Sequence, residues 1–281
     1  MNLSFLTDPN VWTAATAVVA LIVSLWPKFR SLVSSPNINI TLPGNFSLHH
    51  YLGNINLTIF VDLHNDGSTT VDISKLDCLI VKISSGERDS ATKQWHIPAQ
   101  TIFLKQPPSQ EGQNWPELLL GGISVKPGEH WQEFVRCFAP FSDDEEEESQ
   151  RIRASVGKNI SDKQIERQRQ GLPQALVEAD PEVIGKARSF FDKTFDLTRG
   201  EYRLYNAALS NTGKILGVKG SKFILYENAI QELQKVIDDY KYGWGLVYPH
   251  PGTTIMPVQP RLAPISEEKQ VENDYQAARK R

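Results

Sequence analysis

Six histidines and two cysteines carry most of the chemistry available to this sequence. Asp62 and His64 alternate with apolar residues in NLTIFVDLH (56–64), so both project from one face of a strand, and His49 and His50 lie one strand earlier. Imidazole and carboxylate together bind a divalent metal when such strands pair in register, which makes Asp62, His64 and His49 the candidate metal set. The same alternation gives an ordinary polar solvent face, the simpler expectation, so no metal or other cofactor is assigned. Gly217-Val218-Lys219-Gly220-Ser221-Lys222 is only superficially a phosphate loop. Such a loop needs four residues between its glycines and a Lys directly after the second, so that backbone amides cradle the phosphate. A hairpin turn is expected there instead. The sequence contains no H-E-x-x-H, G-x-S-x-G or dinucleotide fingerprint. No catalytic residue is assigned, and binding is expected rather than catalysis.

Tyr226, Tyr240, Tyr242, Trp244 and Tyr248 gather where the last helix of the body ends. Tyr240, Tyr242, Trp244 and Tyr248 form a possible partner surface, because aromatic-rich surfaces bind partners. A core edge beneath a terminal helix has the same composition. Cys78 and Cys137 fall on strand signals 59 residues apart, with Trp95 between them. This spacing resembles that of immunoglobulin domains, where a disulfide joins two sheets across a Trp. The resemblance implies a sandwich and carries no functional residues; the Tyr expected two residues before the second Cys is Val135. Free buried thiols are the expectation in a reducing compartment.

The elements that position these groups begin with a membrane anchor. From Asn10 to Trp26 (NVWTAATAVVALIVSLW) there is no charged side chain. Seventeen helical residues span roughly 25 Å, the lower limit for crossing a bilayer core. Trp12 and Trp26 suit the two interfaces, and Pro27 ends the segment. A signal peptide is disfavoured because MNLSFLTDP has no basic residue and carries Asp8. Lys28 and Arg30 follow the span and no Lys or Arg precedes it, so the positive-inside rule puts residues 1–9 outside an inner membrane and the rest in the cytoplasm. Thr16, Ala20 and Ser24 make a strip of small residues suited to helix packing and homo-oligomerisation.

Composition bounds the body. Among 281 residues, 40% are apolar and 22% charged, with a net charge of −3, which excludes wholesale disorder and argues against general nucleic-acid binding. After a tether over 27–36, short strand signals at near-regular spacing predict a mainly β, antiparallel, Ig-like β-sandwich over 37–248. Strands are expected at Asn37–Leu42, Asn56–His64, Val71–Ile73, Asp77–Ile83, His96–Phe103, Leu118–Val125, Trp131–Phe138, Glu201–Leu209, Lys214–Val218 and Lys222–Tyr226. A charged, exposed helical insertion interrupts them over 142–198. Ser142 and Glu145 form its capping box, and the acids Asp143–Glu148 oppose the helix dipole. Asp180-Pro181 starts its second helix. An amphipathic helix from Asn228 to Tyr242, stopped by Gly243, closes the domain. Residues 249–281 read as a Pro-rich linker and a polar tail, frayed helix or disordered. The expected whole is a single-pass, membrane-anchored cytoplasmic binding or effector module recognising an unknown protein or small ligand, in one version a bacterial stress or phage-defence effector. The alternatives are a tethered metal-dependent enzyme and a periplasmic Ig-like adhesion or assembly module.

Overall fold

A computed structural model describes residues 16–25, 37–42, 44–83, 91–103, 117–247, 261–265 and 268–280. The expectations placed on 1–9, on 27–36, on the ends of the 10–26 span and on Tyr248 lie outside these residues. Residues 16–25 form a helix (α1). Twelve strands follow in chain order with their helices: β1 Ile38–Thr41, β2 Ser47–Tyr51, β3 Asn54–Asn65, β4 Val71–Ile73, β5 Lys75–Ile83, β6 Ala91–Phe103, β7 Glu117–Leu119, β8 Ile123–Val125, β9 His130–Phe138, α2 Asp143–Arg169, α3 Pro181–Thr194, β10 Gly200–Leu209, β11 Ile215–Leu225, α4 Glu227–Lys235, β12 Ala263–Pro264 and α5 Glu268–Arg279.

The chain is mainly β, built on one antiparallel curled sheet in the order β1-β3-β9-β6-β5-β10-β11-β12, with β2 on β3 and β7 on β6, and several helices. The expected two facing sheets are therefore joined. β6 pairs with β5 through its first half and with β9 through its second, with a register shift between Ala99 and Thr101. A bulge of this kind bends a strand and lets the sheet fold over. Its inward faces then enclose one core. Leu57, Ile59, Val61 and Leu63 of β3 are buried and their neighbours are less so, the alternation expected of this strand. They meet Leu76, Cys78 and Ile80 of β5 and Leu204 and Ala208 of β10 in the same cluster.

At the seam the sheet comes back towards itself. A Cβ on Gly217 would lie 2.0 Å from the Ile38 carbonyl oxygen, so β1 and β11 touch backbone to backbone. The expected turn at Gly217–Gly220 is accordingly not a turn. β11 runs unbroken through it, and its glycines admit the Ile38 backbone on one side and the Val271 side chain of α5 near Gly220. The hairpin lies earlier, at Ser210–Gly213, where Gly213 has φ +77°.

The helical insertion is more than an exposed appendage. Ile152, Val156 and Ile160 of α2 pack with Ile184, Ala187 and Phe190 of α3 and with Val236 and Tyr240 in a second core. The Ser142–Glu145 capping box is formed, and α2 continues without a break to Arg169. Asp180 stands at the N-cap position of α3 without a side-chain cap; its carboxylate takes Asn159 Nδ2 at 2.6 Å and Lys163 Nζ at 2.6 Å, tying α3 to α2. The polar tail also folds: α5 lays Val271, Tyr275 and Ala278 on Leu79, Val81 and Tyr205. Tyr275 Oη donates to the buried Asp77 at 2.6 Å and Arg203 bonds Asp274 at 2.9 Å.

The β2–β3 hairpin joins sheet to helices. Its two-residue turn has φ +48° at Leu52 and +89° at Gly53, the left-handed pair that a tight hairpin requires. Leu52 is fully buried in the helical core. A Cβ on Gly53 would lie 2.3 Å from Thr194 Oγ1 and 2.7 Å from the Phe195 nitrogen, whereas Gly171 (φ +67°) has open space around it. Gly171→Ala is expected to cost roughly 1–3 kcal/mol from backbone strain alone. Gly53→Ala adds a collision, so its urea midpoint should fall further than that of Gly171→Ala; equal midpoints would refute the close approach.

Candidate functional site

Where the β2–β3 end of the sheet meets the start of α2 there is a cavity of about 410 Å³. Its floor is the outward face of the sheet. β3 contributes Asn54 and Asn56, β9 contributes Arg136 and Phe138, and β6 contributes Gln100; β2 contributes His49 and Tyr51, the turn before α2 contributes Pro140 and Phe141, and α2 itself contributes Glu146. Register explains the assembly. His49 faces Asn56, Asn56 faces Phe138, and Arg136 stands between Thr58 and Thr101 on neighbouring strands. A junction between two packed layers is a usual place for a ligand pocket, and this volume lies within the usual range.

The polar groups here are held, and some lack partners. Arg136 Nη1 bonds Glu117 at 2.5 Å, and its guanidinium carbon lies 4.8 Å from the Phe103 ring centroid. Its buried Nε has no hydrogen-bond partner, and the Tyr51 hydroxyl is buried on the α2 side, beside Ser149 and Arg153. Buried donors without partners are rare in folded proteins because each carries the full desolvation penalty. Burial lowers the His49 pKa to about 3, with the Arg136 charge assisting, so this imidazole is neutral at physiological pH. Asn54 Nδ2 donates to the Ala139 carbonyl at 2.5 Å and fixes the rim. Glu146 accepts from Gln150 at 2.9 Å along its own helix.

His50 forms the back wall and is structural. Its Nε2 donates to the Leu233 carbonyl at 2.7 Å and its Nδ1 accepts the Gly53 N–H at 3.2 Å, which fixes one tautomer. Phe191 and Phe195 flank the ring at 4.9 and 5.4 Å.

The candidate metal set does not converge. Asp62 Oδ1 meets His130 Nδ1 at 2.9 Å, and His64 Nδ1 meets Asp66 at 2.7 Å. The His64 and His130 rings stack at 4.1 Å on facing positions of β3 and β9. His49 faces Asn56, eight residues from His64 along β3, roughly 26 Å at the usual strand rise. Among the described residues no group of three or more His, Cys, Asp or Glu is placed to hold a metal ion. His130 completes a pair of His–carboxylate contacts that strand alternation on β3 alone does not reveal.

The aromatic group divides. Tyr240 is core, 1% exposed, and so is no part of a partner surface. Tyr242 and Trp244 are half-buried, their rings 4.8 Å apart, with Lys241 over Tyr242. Cys78 and Cys137 are buried free thiols with sulfurs 3.3 Å apart, and Cys78 Sγ also contacts Asn206 Oδ1 at 2.9 Å. The bond to Cys137 and burial push the Cys78 thiol up. Trp95 leans towards Tyr202, with centroids 6.0 Å apart, and donates to Asp196 at 2.8 Å. In α1, Thr16, Ala20 and Ser24 share one face by helical spacing, and the Ser24 hydroxyl donates to the Leu21 carbonyl at 2.9 Å.

Sequence reasoning misses Arg136, Tyr51 and Asn56. The signal for Arg136 is its place between Phe134 and Phe138 on the outward-facing positions of β9; Tyr51 and Asn56 flank a hairpin that carries no Asn-Gly or Asp-Gly mark.

No family model matches the chain, and no curated protein matches it. Among solved structures it is similar to Spo0M, a sporulation control protein from Bacillus subtilis, at 9% identity and a TM-score of 0.27, over 73% of this chain and 56% of that one. The chain thus spans just over half the length of that structure.

The wall residue His50 gives a pH test. Burial lowers its pKa from 6.5 to about 4, the Leu233 carbonyl partly opposing. Between those values the unfolded chain binds the extra proton, so stability is full above about pH 6.5 and falls as pH drops towards 4. At 1.36 kcal/mol per pH unit this amounts to about 3 kcal/mol. Buried His49 is lowered over the same range, so urea melts should show the combined slope and His50→Asn should remove about half of it; an unchanged slope would show that His50 does not contribute.

Proposed function

We propose that this chain is a non-enzymatic binding module held to a membrane by its N-terminal segment, with residues 37–248 on the cytoplasmic side. The cavity carries the binding part of this reading. It offers a held guanidinium, amides, a neutral imidazole and aromatic ring surface, and its described residues include no nucleophile hydrogen-bonded to a base, which covalent catalysis requires. Asp62, His64 and His49, on which an enzyme would rest, do not meet.

The described part of the anchor supports the membrane reading. Residues 16–24 are all exposed, including Val18 (55%) and Val23 (66%). A helix apolar on every side is stable when buried or in lipid. No described helix is long and apolar enough to cross a membrane, and α1 supplies ten residues of the seventeen-residue uncharged stretch. Full-length protein is expected in the membrane pellet after alkaline carbonate washing. Val19→Arg with Ile22→Arg should release it, since each charge costs about 3 kcal/mol at a bilayer centre; wild type in the supernatant would overturn the anchor. In the effector version, Ala20→Leu abolishes any toxicity and leaves insertion intact.

The Cys78–Cys137 approach favours one second reading. In an oxidising compartment these sulfurs, 3.3 Å apart, would join, as in a periplasmic Ig-like adhesion or assembly module. Intact mass under denaturing alkylation without reductant separates the two. Both thiols alkylated fits the cytoplasmic reading, and neither alkylated fits the periplasmic one.

A further inference from the structure

Many cations of the body face a carboxylate: Lys163 pairs with Asp180, Arg188 with Asp238, Arg203 with Asp274 and Lys241 with Glu178. Five near the Asn65 end of β3 do not. Lys219 and Lys269 line a hollow of about 340 Å³ with Asn37 and β1. Lys214, Arg279 and Lys280 line an adjoining one of about 560 Å³, which shares Ile215 and Glu272 with the first. None of the five makes an ion pair among the described residues, and all but the half-buried Lys219 are exposed. The acids lining the two hollows are fewer and engaged: Asp66 meets His64 at 2.7 Å, and Glu272 accepts from Gln276 at 3.1 Å. Arg279 Nη1 donates to the Gly213 carbonyl at 3.1 Å, so the β10–β11 hairpin tip and the end of α5 hold their charges side by side. Like charges gathered this way repel one another and cost stability unless an anion is shared.

The place of Asn37 says which anion. The uncharged stretch ends at Trp26, and the chain enters the body at Asn37, on the wall of the first hollow. Ten intervening residues reach at most about 36 Å however they are arranged. In an anchored chain this face is therefore leashed to the headgroup layer, while α2, α3 and α4 gather at the hairpin tip, the other end of β3.

We propose that this face docks on anionic phospholipid headgroups, with Lys214, Lys219, Lys269, Arg279 and Lys280 meeting the phosphates and laying the body against the leaflet beside its anchor. The proposal rests on the anchored reading above and adds a partner surface to it. Each Lys or Arg at an anionic bilayer surface raises partition about fivefold. The attraction fades beyond about 8 Å at physiological ionic strength, so these charges act only when the face lies on the membrane.

Vesicle sedimentation of the full chain carrying Val19→Asp and Ile22→Asp tests it, because two carboxylates in the span oppose insertion and add no positive charge. At low salt this variant should pellet with phosphatidylcholine vesicles holding about 30% phosphatidylserine, and about 0.5 M salt should release it. With phosphatidylcholine alone it should stay in the supernatant. Adding Lys214→Gln, Lys269→Gln and Lys280→Gln should weaken partition onto the anionic vesicles about a hundredfold. Lys158→Gln, Lys186→Gln and Lys235→Gln, on α2, α3 and α4, change the net charge equally and should leave partition unchanged. Equal loss from both triples would show that net charge and not this face is read, and would overturn the proposal, as would equal pelleting on neutral vesicles. If wild type resists carbonate washing while the variant ignores anionic vesicles, the anchor stands and this surface falls. If wild type washes off and the variant still pellets with anionic vesicles, the surface stands and the anchor falls.

Discussion

A two-residue turn holds the sheet and the helices of this molecule together. Leu52 and Gly53 adopt left-handed backbone so that the tip of the β2–β3 hairpin enters the helical layer. Leu52 fills the space between α2, α3 and Tyr240, its carbonyl accepts the Thr194 hydroxyl at 2.5 Å, and His50 ties the Gly53 N–H to the Leu233 carbonyl. An apolar side chain and a backbone with no room for a Cβ therefore set where two cores meet. The cavity exists because that junction is closed at the hairpin tip and open beside it, where His49, Asn54 and Asn56 face the first turn of α2.

Much of the sheet is legible in the sequence because its strands are half-buried. Leu57, Ile59, Val61 and Leu63 announce β3 through strict alternation, and Val71–Ile73 and Trp131–Phe138 are bounded by turn residues. Local chemistry also shows: Ser142 and Glu145 do cap α2, and Gly243 ends the final turn at φ +76°. What escapes is set by partners distant in sequence. Gly217 and Gly220 carry the signature of a turn, yet they are small because Ile38 and Val271 press against β11. The tail appears polar because α5 needs only Val271, Tyr275 and Ala278 to dock; Tyr275 and Asp274 find Asp77 and Arg203 across the chain. The fold-over at β6 leaves one faint mark, Pro98 just before the register shift, since pairing with β5 and then β9 is a property of the sheet.

The site shows the same division. Imidazole and carboxylate on β3 are visible as a pattern, but the structure gives Asp62 and His64 different partners, His130 and Asp66, and sends His49 to the far end of the strand. Three strands in register and one turn outside the sheet bring His49, Asn56, Arg136 and Phe138 together. What distinguishes this cavity from an ordinary polar hollow is a guanidinium held in place by Glu117 and by the Phe103 and Phe138 rings, beside an imidazole kept neutral by burial.

Because β6 belongs to both halves of the sheet, the halves share one continuous spine, and along the facing edge β1 touches β11 at Ile38–Gly217, the Leu262 N–H donates to the Gly44 carbonyl at 2.7 Å beside an Asn45–Arg261 bridge, and Phe46 packs on Phe223. The body is thus fastened along both margins, by a shared strand on one and by backbone contact, a bridge and a ring pair on the other, and the hairpin that clasps the helices lies on the same edge of β3 as β1.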